Sequence, residues 1–343
     1  MKLYPLVRKV LKLLSSADSI GIMADTDADG VSGAATLCEA FGVAEDDVWF
    51  PSGGFYGVPK DALRDMLEDY DVVVTVDLTP PPFPEARDRV VVIDHHPTDS
   101  HYPMTVNPYE IPALPTHTSA SALVGMLAHR TGGLNRPWVP LIGAAGDGME
   151  GGAVYETLAS MTDPGYLVPS RGRNLTPLQD AAATVNAARR VKYDVGAREA
   201  LKVLMSADSP YDVTESHLQR YRKRVRKHRA IWSGEAERTA HIVEGVGYAE
   251  IHTEVDVEGL VARDLVDRLN LRCSVVVNLA RKPCGLYKAS GRSQGFPVNE
   301  LMVKMARWLE GSKAGGHPNA AALHFSDGDP REAFNRALDL LQP

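Results

Sequence analysis

Hydrophobic positions in the first third of the chain fall into short unbroken runs separated by segments of helical spacing. Residues 20–23, 71–77 and 89–94 each hold an apolar run rich in Val or Ile. Such runs between helical stretches predict buried parallel strands, because a strand covered on both faces needs no polar side. Leu3, Val7, Val10, Leu11 and Leu14 recur at helical spacing and predict an amphipathic first helix. Residues 31–41 predict the helix after the first strand, with Ser32, Gly33, Ala34 and Ala35 small enough to pack closely on a sheet. A short strand is expected at 48–51 and helices at 59–70, 118–131 and 138–145. The prolines at 80–84 stop regular structure between the second and third runs.

The pattern changes after residue 150. Residues 151–240 are mostly helical and polar, with helices expected at 174–188 and 197–205. Residues 217–229 hold seven Lys or Arg: Arg220, Arg222, Lys223, Arg224, Arg226, Lys227 and Arg229. On a helix these wrap most of the circumference, with Tyr221 and Val225 on one side. A solvated linker helix accounts for that pattern, and contact with a phosphate backbone is the alternative. From residue 241 strands return: within 242–254, at 273–279, at 286–290 and at 323–325. Helices are expected at 257–269, at 297–310 with Pro in the first turn, and at 330–341. The predicted fold class is α/β. Residues 1–150 form a domain with a mainly parallel sheet flanked by helices, 151–240 a helical connecting region, and 241–343 a smaller α/β domain.

A chain of 343 residues can hold two domains with their own cores. No apolar run approaches the ~20 residues that span a bilayer. The first helix lacks a signal-peptide apolar core, so no membrane association and a cytoplasmic location are expected. A formal net charge of −7 argues against coating duplex DNA by charge alone. It leaves room for a single strand drawn into a local basic groove. Cys38, Cys273 and Cys284 show neither zinc nor disulfide spacing.

The chemistry gathers at the ends of the apolar runs. Asp25, Asp27 and Asp29 follow the first, ahead of Gly30. Continued as a strand, they would point to one face. Carboxylates packed this densely repel, and a divalent cation is the usual remedy. One acidic loop is explained as well by solvation. The second run, however, ends in Asp77 and the third in Asp94-His95-His96. Sites in open α/β sheets form at the carboxyl ends of strands, which gathers all seven residues at one edge. His101, His117 and His129 are expected at the surface or in local hydrogen bonds.

Asp-x-Asp-x-Asp-Gly, a strand-end Asp, Asp-His-His and a later Gly146-Asp147 resemble the four motifs of the DHH phosphoesterases. The opening Asp25 and the pair Asn107-Pro108 are similar to the RecJ-type branch, and the compact chain to archaeal RecJ-like nucleases. Residues 241–343 resemble the accompanying DHHA1 domain through Ser290-Gly291-Arg292-Ser293 and Gly315-Gly316-His317 with the alanines after it. The resemblance covers about 1–150 and 240–325. It implies two divalent ions, Mn²⁺ in preference to Mg²⁺, with Asp25 and Asp27 on one, Asp29, His95 and Asp147 on the other, and Asp77 between them. Asp94 would orient His95, and His96 would sit at the scissile phosphate. Ser290, Arg292, Ser293, Gly315, Gly316 and His317 would bind substrate: Arg292 can grip a phosphate bidentately, and the glycines let backbone N–H groups approach it.

The activity so implied is that of a single-strand-specific exonuclease on DNA or RNA, with replication or repair proteins as candidate partners. The alternative is a phosphodiesterase of short oligonucleotides, cyclic dinucleotides or phosphoadenosine phosphate. A non-catalytic replication scaffold, as in the Cdc45 relatives, would lack metal ligands, whereas every motif position here is filled.

Overall fold

The computed structural model describes residues 3–55, 57–97, 102–111 and 114–341. His101, expected at the surface, lies outside the described residues. The chain divides into two compact units, Met1–Arg222 and Lys223–Pro343.

In the first unit, α1 (Leu3–Ser16) leads into β1 (Ile20–Ala24), α2 (Ala28–Phe41), β2 (Val48–Trp49), α3 (Lys60–Asp69), β3 (Val72–Val76), β4 (Val90–Ile93) and β5 (Met104–Val106). Five helices follow: α4 (Ala120–Thr131), α5 (Trp138–Asp147), α6 (Gly152–Ser160), α7 (Pro177–Ser206) and α8 (Pro210–Glu215). The boundary between the units falls inside α9 (Gln219–Thr239). The five strands pair in the order β2-β1-β3-β4-β5, all parallel. Strands β3 and β4 are buried along their whole length, as their unbroken Val/Ile runs require. The order reverses at β1, so the carboxyl ends of β1 and β3 lie at a topological switch point.

Helix α7 replaces the two helices expected at 174–188 and 197–205, but not as one straight rod. Tyr193 interrupts it at φ 51°. Three residues on, Gly196 passes so close to the Ala188 carbonyl that a Cβ would not fit. A helical N–H to C=O ladder cannot continue through a left-handed residue, so the break falls where the spacing placed a gap.

In the second unit, β6 (His241–Val243), β7 (Val246–Ile251), α10 (Glu258–Leu269), β8 (Cys273–Asn278), β9 (Tyr287–Ser293), α11 (Val298–Met305), β10 (Lys313–His317), β11 (Ala320–Phe325) and α12 (Pro330–Asp339) follow α9. The sheet order is β10-β11-β9-β8-β7-β6, with only β7 and β8 parallel. Tyr248, Val275, Val277, Leu323 and Phe325 form a core on one face with Met302 and Phe334. Strand β9 is longer than the expected 286–290, so Ser290-Gly291-Arg292-Ser293 lies within the sheet. Among the described residues no helix is long and apolar enough to cross a membrane.

Candidate metal centre

Three of the four motifs of the first unit begin one residue past a strand, held by one further rung of the ladder, while Asp147 of the fourth ends helix α5. Asp25 N–H donates to the Val76 carbonyl at 3.1 Å, Asp77 N–H to Ile93 at 2.9 Å and Asp94 N–H to Val106 at 3.2 Å. Backbone pairing thus sets the heights of Asp25, Asp77 and Asp94 at one sheet edge. Asp77 sits at φ 59°, a left-handed conformation that Asp tolerates better than most residues.

The three acidic residues of the first motif do not converge by strand alternation. Strand β1 ends at Ala24, Asp27 caps α2, and Asp29 lies in the first helical turn, so α2 begins three residues before the expected position. Asp27 accepts from the N–H groups of Asp29 and Gly30, as an N-cap does. Gly30 serves a close approach rather than a turn: a Cβ there would strike the Asp25 carbonyl. Asp29 is fully buried and anchors the start of α4. It accepts from Ala120 N–H at 2.7 Å, Ser121 N–H at 3.0 Å and the Ser121 hydroxyl at 2.5 Å, all at the start of α4. Gly143 of α5 leaves room for that carboxylate, since a Cβ there would lie 2.6 Å from Asp29 Oδ1.

His95 meets these carboxylates. Its Nε2 lies 3.2 Å from Asp77 Oδ1, 3.4 Å from Asp147 Oδ2 and 3.8 Å from Asp29 Oδ2. Three groupings bring donor atoms within 4.8 Å of one another: Asp25, Asp27 and Asp77; Asp29, His95 and Asp147; and Asp77, His95 and His96. Asp77 belongs to the first and third, and His95 to the second and third, so the three sets form one chain of donors.

Asp94 holds His96 rather than the ring of His95. Its Oδ1 accepts from the backbone N–H groups of His95 and His96 and lies 2.9 Å from His96 Nδ1. A carboxylate turned back over the next two N–H groups reaches the side chain two residues on, not the next one. The Thr79 hydroxyl donates to its other oxygen at 2.6 Å. Asn107 Nδ2 donates to the His96 carbonyl at 2.9 Å, which ties the Asn-Pro pair to this loop. His95 Nδ1 is buried without a hydrogen bond.

The electrostatics of the edge call for positive charge. Burial first, then repulsion from Asp27, pushes Asp25 up to about 6. Burial and four neighbouring carboxylates, Asp27 foremost, raise Asp77 well above the usual range. Asp147 is raised by burial and by Asp29, Asp27 and Asp25. Burial opposes the charge on Asp94, but hydrogen bonds from His96 and Thr79 outweigh it and lower its pKa. Burial likewise opposes protonation of His96, yet its bond to Asp94 raises its pKa overall. Burial lowers His95, keeping it a neutral imidazole fit to ligate. Asp77 Oδ1, buried with no hydrogen-bond donor, points into this cluster of oxygens and imidazoles. Hard divalent cations take this donor set, and the residues present fit them.

Two residues of α7 belong to the same edge. Asn186 Oδ1 accepts from Ala28 N–H at 3.1 Å, in the first turn of α2. The charge of Arg189 draws down the pKa of both Asp25 and Asp147. No motif marks either residue in the sequence. Ser32 is fully buried in α2, as its small size was expected to allow, and its hydroxyl has no hydrogen-bond partner among the described residues. His117 and His129 are exposed and outside all three groupings.

In the second unit, register puts Arg292 beside Ala320 and Ala320 beside His317, and puts Ser290 beside Ala322 and Ala322 beside Gly315. These two rows share one sheet face. Arg292 lies against α10: a Cβ on Gly259 would sit 2.8 Å from its Nη2. Gly316 has φ 131°, and a Cβ there would meet the backbone of Ala320 and Ala321. Ser293 is odd in that register and faces the other way. It is buried, and its hydroxyl reaches the carbonyls of Phe296 at 2.6 Å and Pro318 at 3.0 Å.

The model of the DHH family, N-terminal domain, matches residues 19–142, and that of the DHHA1 domain matches 244–342. No curated protein matches the chain. Among solved structures, an exonuclease RecJ bound to manganese is 22% identical at a TM-score of 0.68, covering 98% of this chain and 95% of that one. RecJ from Thermus thermophilus in complex with Mn²⁺ is 22% identical at 0.71; the alignment covers 98% of this chain but 54% of that protein. A pGpG-specific phosphodiesterase, PggH from Vibrio cholerae, is 15% identical at 0.53, with 94% and 97% covered. At these identities the likeness is one of fold.

Proposed function

Because this chain belongs to the DHH family and carries a DHHA1 domain, we propose that it is a metal-dependent phosphodiesterase acting as a RecJ-like, single-strand-specific exonuclease. The observation that carries the reading is the completeness of the edge: Asp25, Asp27, Asp29, Asp77, His95 and Asp147 fall into overlapping sets of metal-ligand spacing. Asp25, Asp27 and Asp77 would hold one divalent ion, and Asp29, His95 and Asp147 a second, with Asp77 within reach of both. Bound there, such ions supply Lewis-acid activation of water and neutralise charge on a phosphodiester. Mixed carboxylate and imidazole donors favour Mn²⁺ over Mg²⁺.

The chain's own groups do the rest. With Nδ1 against Asp94, His96 presents Nε2 as the nitrogen that serves the substrate, either donating a proton to the leaving oxygen or stabilising charge. Asp94 acts through His96 as a positioning residue. Arg189 offsets carboxylate charge and is a candidate phosphate contact. Arg292, His317 and the backbone at Gly315 and Gly316 would hold phosphate or nucleobase of the substrate, with Ser290 beside them. Ser293 would support that strand from the opposite face.

The test is digestion of end-labelled single strands, DNA and RNA, of graded length with Mn²⁺. Stepwise shortening of long strands from one end is the expected result and fixes the polarity. Cleavage confined to two- to five-mers would overturn the exonuclease reading in favour of a short-oligonucleotide phosphodiesterase. Binding without hydrolysis of any phosphodiester would overturn both.

A further inference from the structure

The basic run of α9 resolves into two populations. Arg220 pairs with Glu199 at 2.9 Å, Arg222 with Asp180, Arg224 with Glu254 at 2.6 Å, and Arg229 with Asp264 at 2.5 Å. These four are structural cations: Arg220 and Arg222 pair within the first unit, Arg224 and Arg229 within the second. Lys223, Arg226 and Lys227 are different. All three are exposed, and among the described residues none has an ion pair or hydrogen bond.

Their spacing is i, i+3 and i+4, so they stand on one side of the helix within about one turn of each other. Tyr221, Val225 and Ala236, all buried, mark the opposite side. Exposed Ala230 and half-buried Gly234 continue this side and place no bulk or acid beside the three cations. A solvated face gains from alternating charge, as the pairs on the rest of this helix show. Here three like charges adjoin one another, although the chain carries seven more acidic than basic residues. Compensation by a polyanion suits such a face, and the phosphates of a single strand supply it in a row.

We propose that Lys223, Arg226 and Lys227 form an accessory binding face for the sugar–phosphate backbone of a single-stranded nucleic acid, outside the metal centre. The inference rests on the reading of this chain as a strand-cutting enzyme and adds to it. The face engages strands long enough to extend beyond the residues being hydrolysed, and it is indifferent to sequence because it reads phosphate. It takes no part in the chemistry and makes no demand on the shortest substrates.

The experiment compares the whole protein with the triple variant K223Q/R226Q/K227Q, which keeps chain length and helix propensity while removing charge. Binding to an oligothymidylate of about thirty nucleotides is measured in chelator, so the strand is not consumed, over a range of salt. Hydrolysis of a dinucleotide is measured separately with Mn²⁺. The expected result is a roughly tenfold loss of strand affinity at low salt. The slope of log affinity against log salt flattens by about 2, near 0.7 for each cation removed. The dinucleotide rate and the unfolding midpoint stay unchanged. Wild-type affinity and slope in the variant overturn the inference and leave the proposed activity standing. An equal loss on dinucleotide and strand also overturns it, because the effect is then not confined to longer strands. So does a loss of binding to vesicles of anionic lipid with strand affinity intact, which would assign the face to a membrane surface. A wild-type protein that neither binds nor cuts any strand removes this inference together with the reading beneath it.

Discussion

At Asp77 both backbone and side chain are held in states an isolated residue avoids. Its φ is 59°, and its carboxylate is buried among four others. Asn adopts the same backbone and carries no charge. Asp77→Asn is therefore expected to lower metal-dependent hydrolysis by about 100-fold or more. The same change should raise the unfolding midpoint in chelator, where only repulsion is lost; calorimetry with and without Mn²⁺ reads both effects. The pH dependence follows the same logic. Asp25, Asp77 and Asp147 have folded pKa values above their unfolded ones, so the folded state binds more protons. Their stabilising share is complete at pH values below the unfolded carboxylate range and is lost as pH rises through the folded values, about 6 for Asp25. Chelated protein should lose stability between about pH 4 and 7, by on the order of 3 kcal/mol for Asp25 alone. Mn²⁺ should reverse that loss, as urea titrations across the range would show. His96 shifts in the same direction for a different reason: burial opposes its protonation, but the hydrogen bond to Asp94 raises its pKa. In Asp94→Asn, kcat should fall by about 10- to 100-fold with little change in KM. The basic limb of the kcat profile should move to lower pH; an unmoved limb would remove His96 as the titrating group.

Helices and strands position these residues through a few close approaches. Asp29, in the first turn of α2, ties down the start of α4, and Gly143 of α5 leaves space for both. Gly143→Ala would push a methyl group onto Asp29 and Ser121. A cost of about 1–3 kcal/mol is expected, with weaker Mn²⁺ binding as Asp29 shifts; melting curves and metal titration measure the two. Gly316→Ala acts on the other unit. Its φ of 131° and the nearby backbone of Ala321 exclude a side chain, so the pairing of β10 with β11 should distort around His317. KM should rise, while Mn²⁺ binding stays as in the parent. The same scale explains α7, whose first half carries Asn186 to α2 before the break at Tyr193.

For the molecule as a whole, the metal centre is a load on the fold that a ligand relieves. At neutral pH, where these buried carboxylates would ionise, bound cations are what relieve their repulsion. Mn²⁺ at about 100 times its dissociation constant should add roughly 2.7 kcal/mol to unfolding free energy by mass action. The midpoint should keep rising with the logarithm of metal concentration. A midpoint insensitive to Mn²⁺ and Mg²⁺ would deny the site its ions. The charge balance acts at this scale too: a net −7 leaves strand binding to local cations.

By itself the sequence determined which residues end the core strands. Apolar run and ligand are covalent neighbours there, so Asp25, Asp77, Asp94, His95 and His96 were legible from periodicity and residue type. It also determined that the second unit carries Ser290, Arg292 and the paired glycines. Tertiary structure decided what those residues touch. Asp27 and Asp29 converge through a helix cap and a first turn, because the strand stops at Ala24. Asp94 turns to His96 because its own backbone offers two N–H groups in that direction. Ser290 and Ser293 part to opposite faces because β9 runs through both, and their parity matters only once that register exists. Asn186 meets Ala28 across 158 residues, and Asp29 meets Ser121 across 92. Local periodicity carries no information over such separations. Only the packing of helices on the sheet brings those groups together.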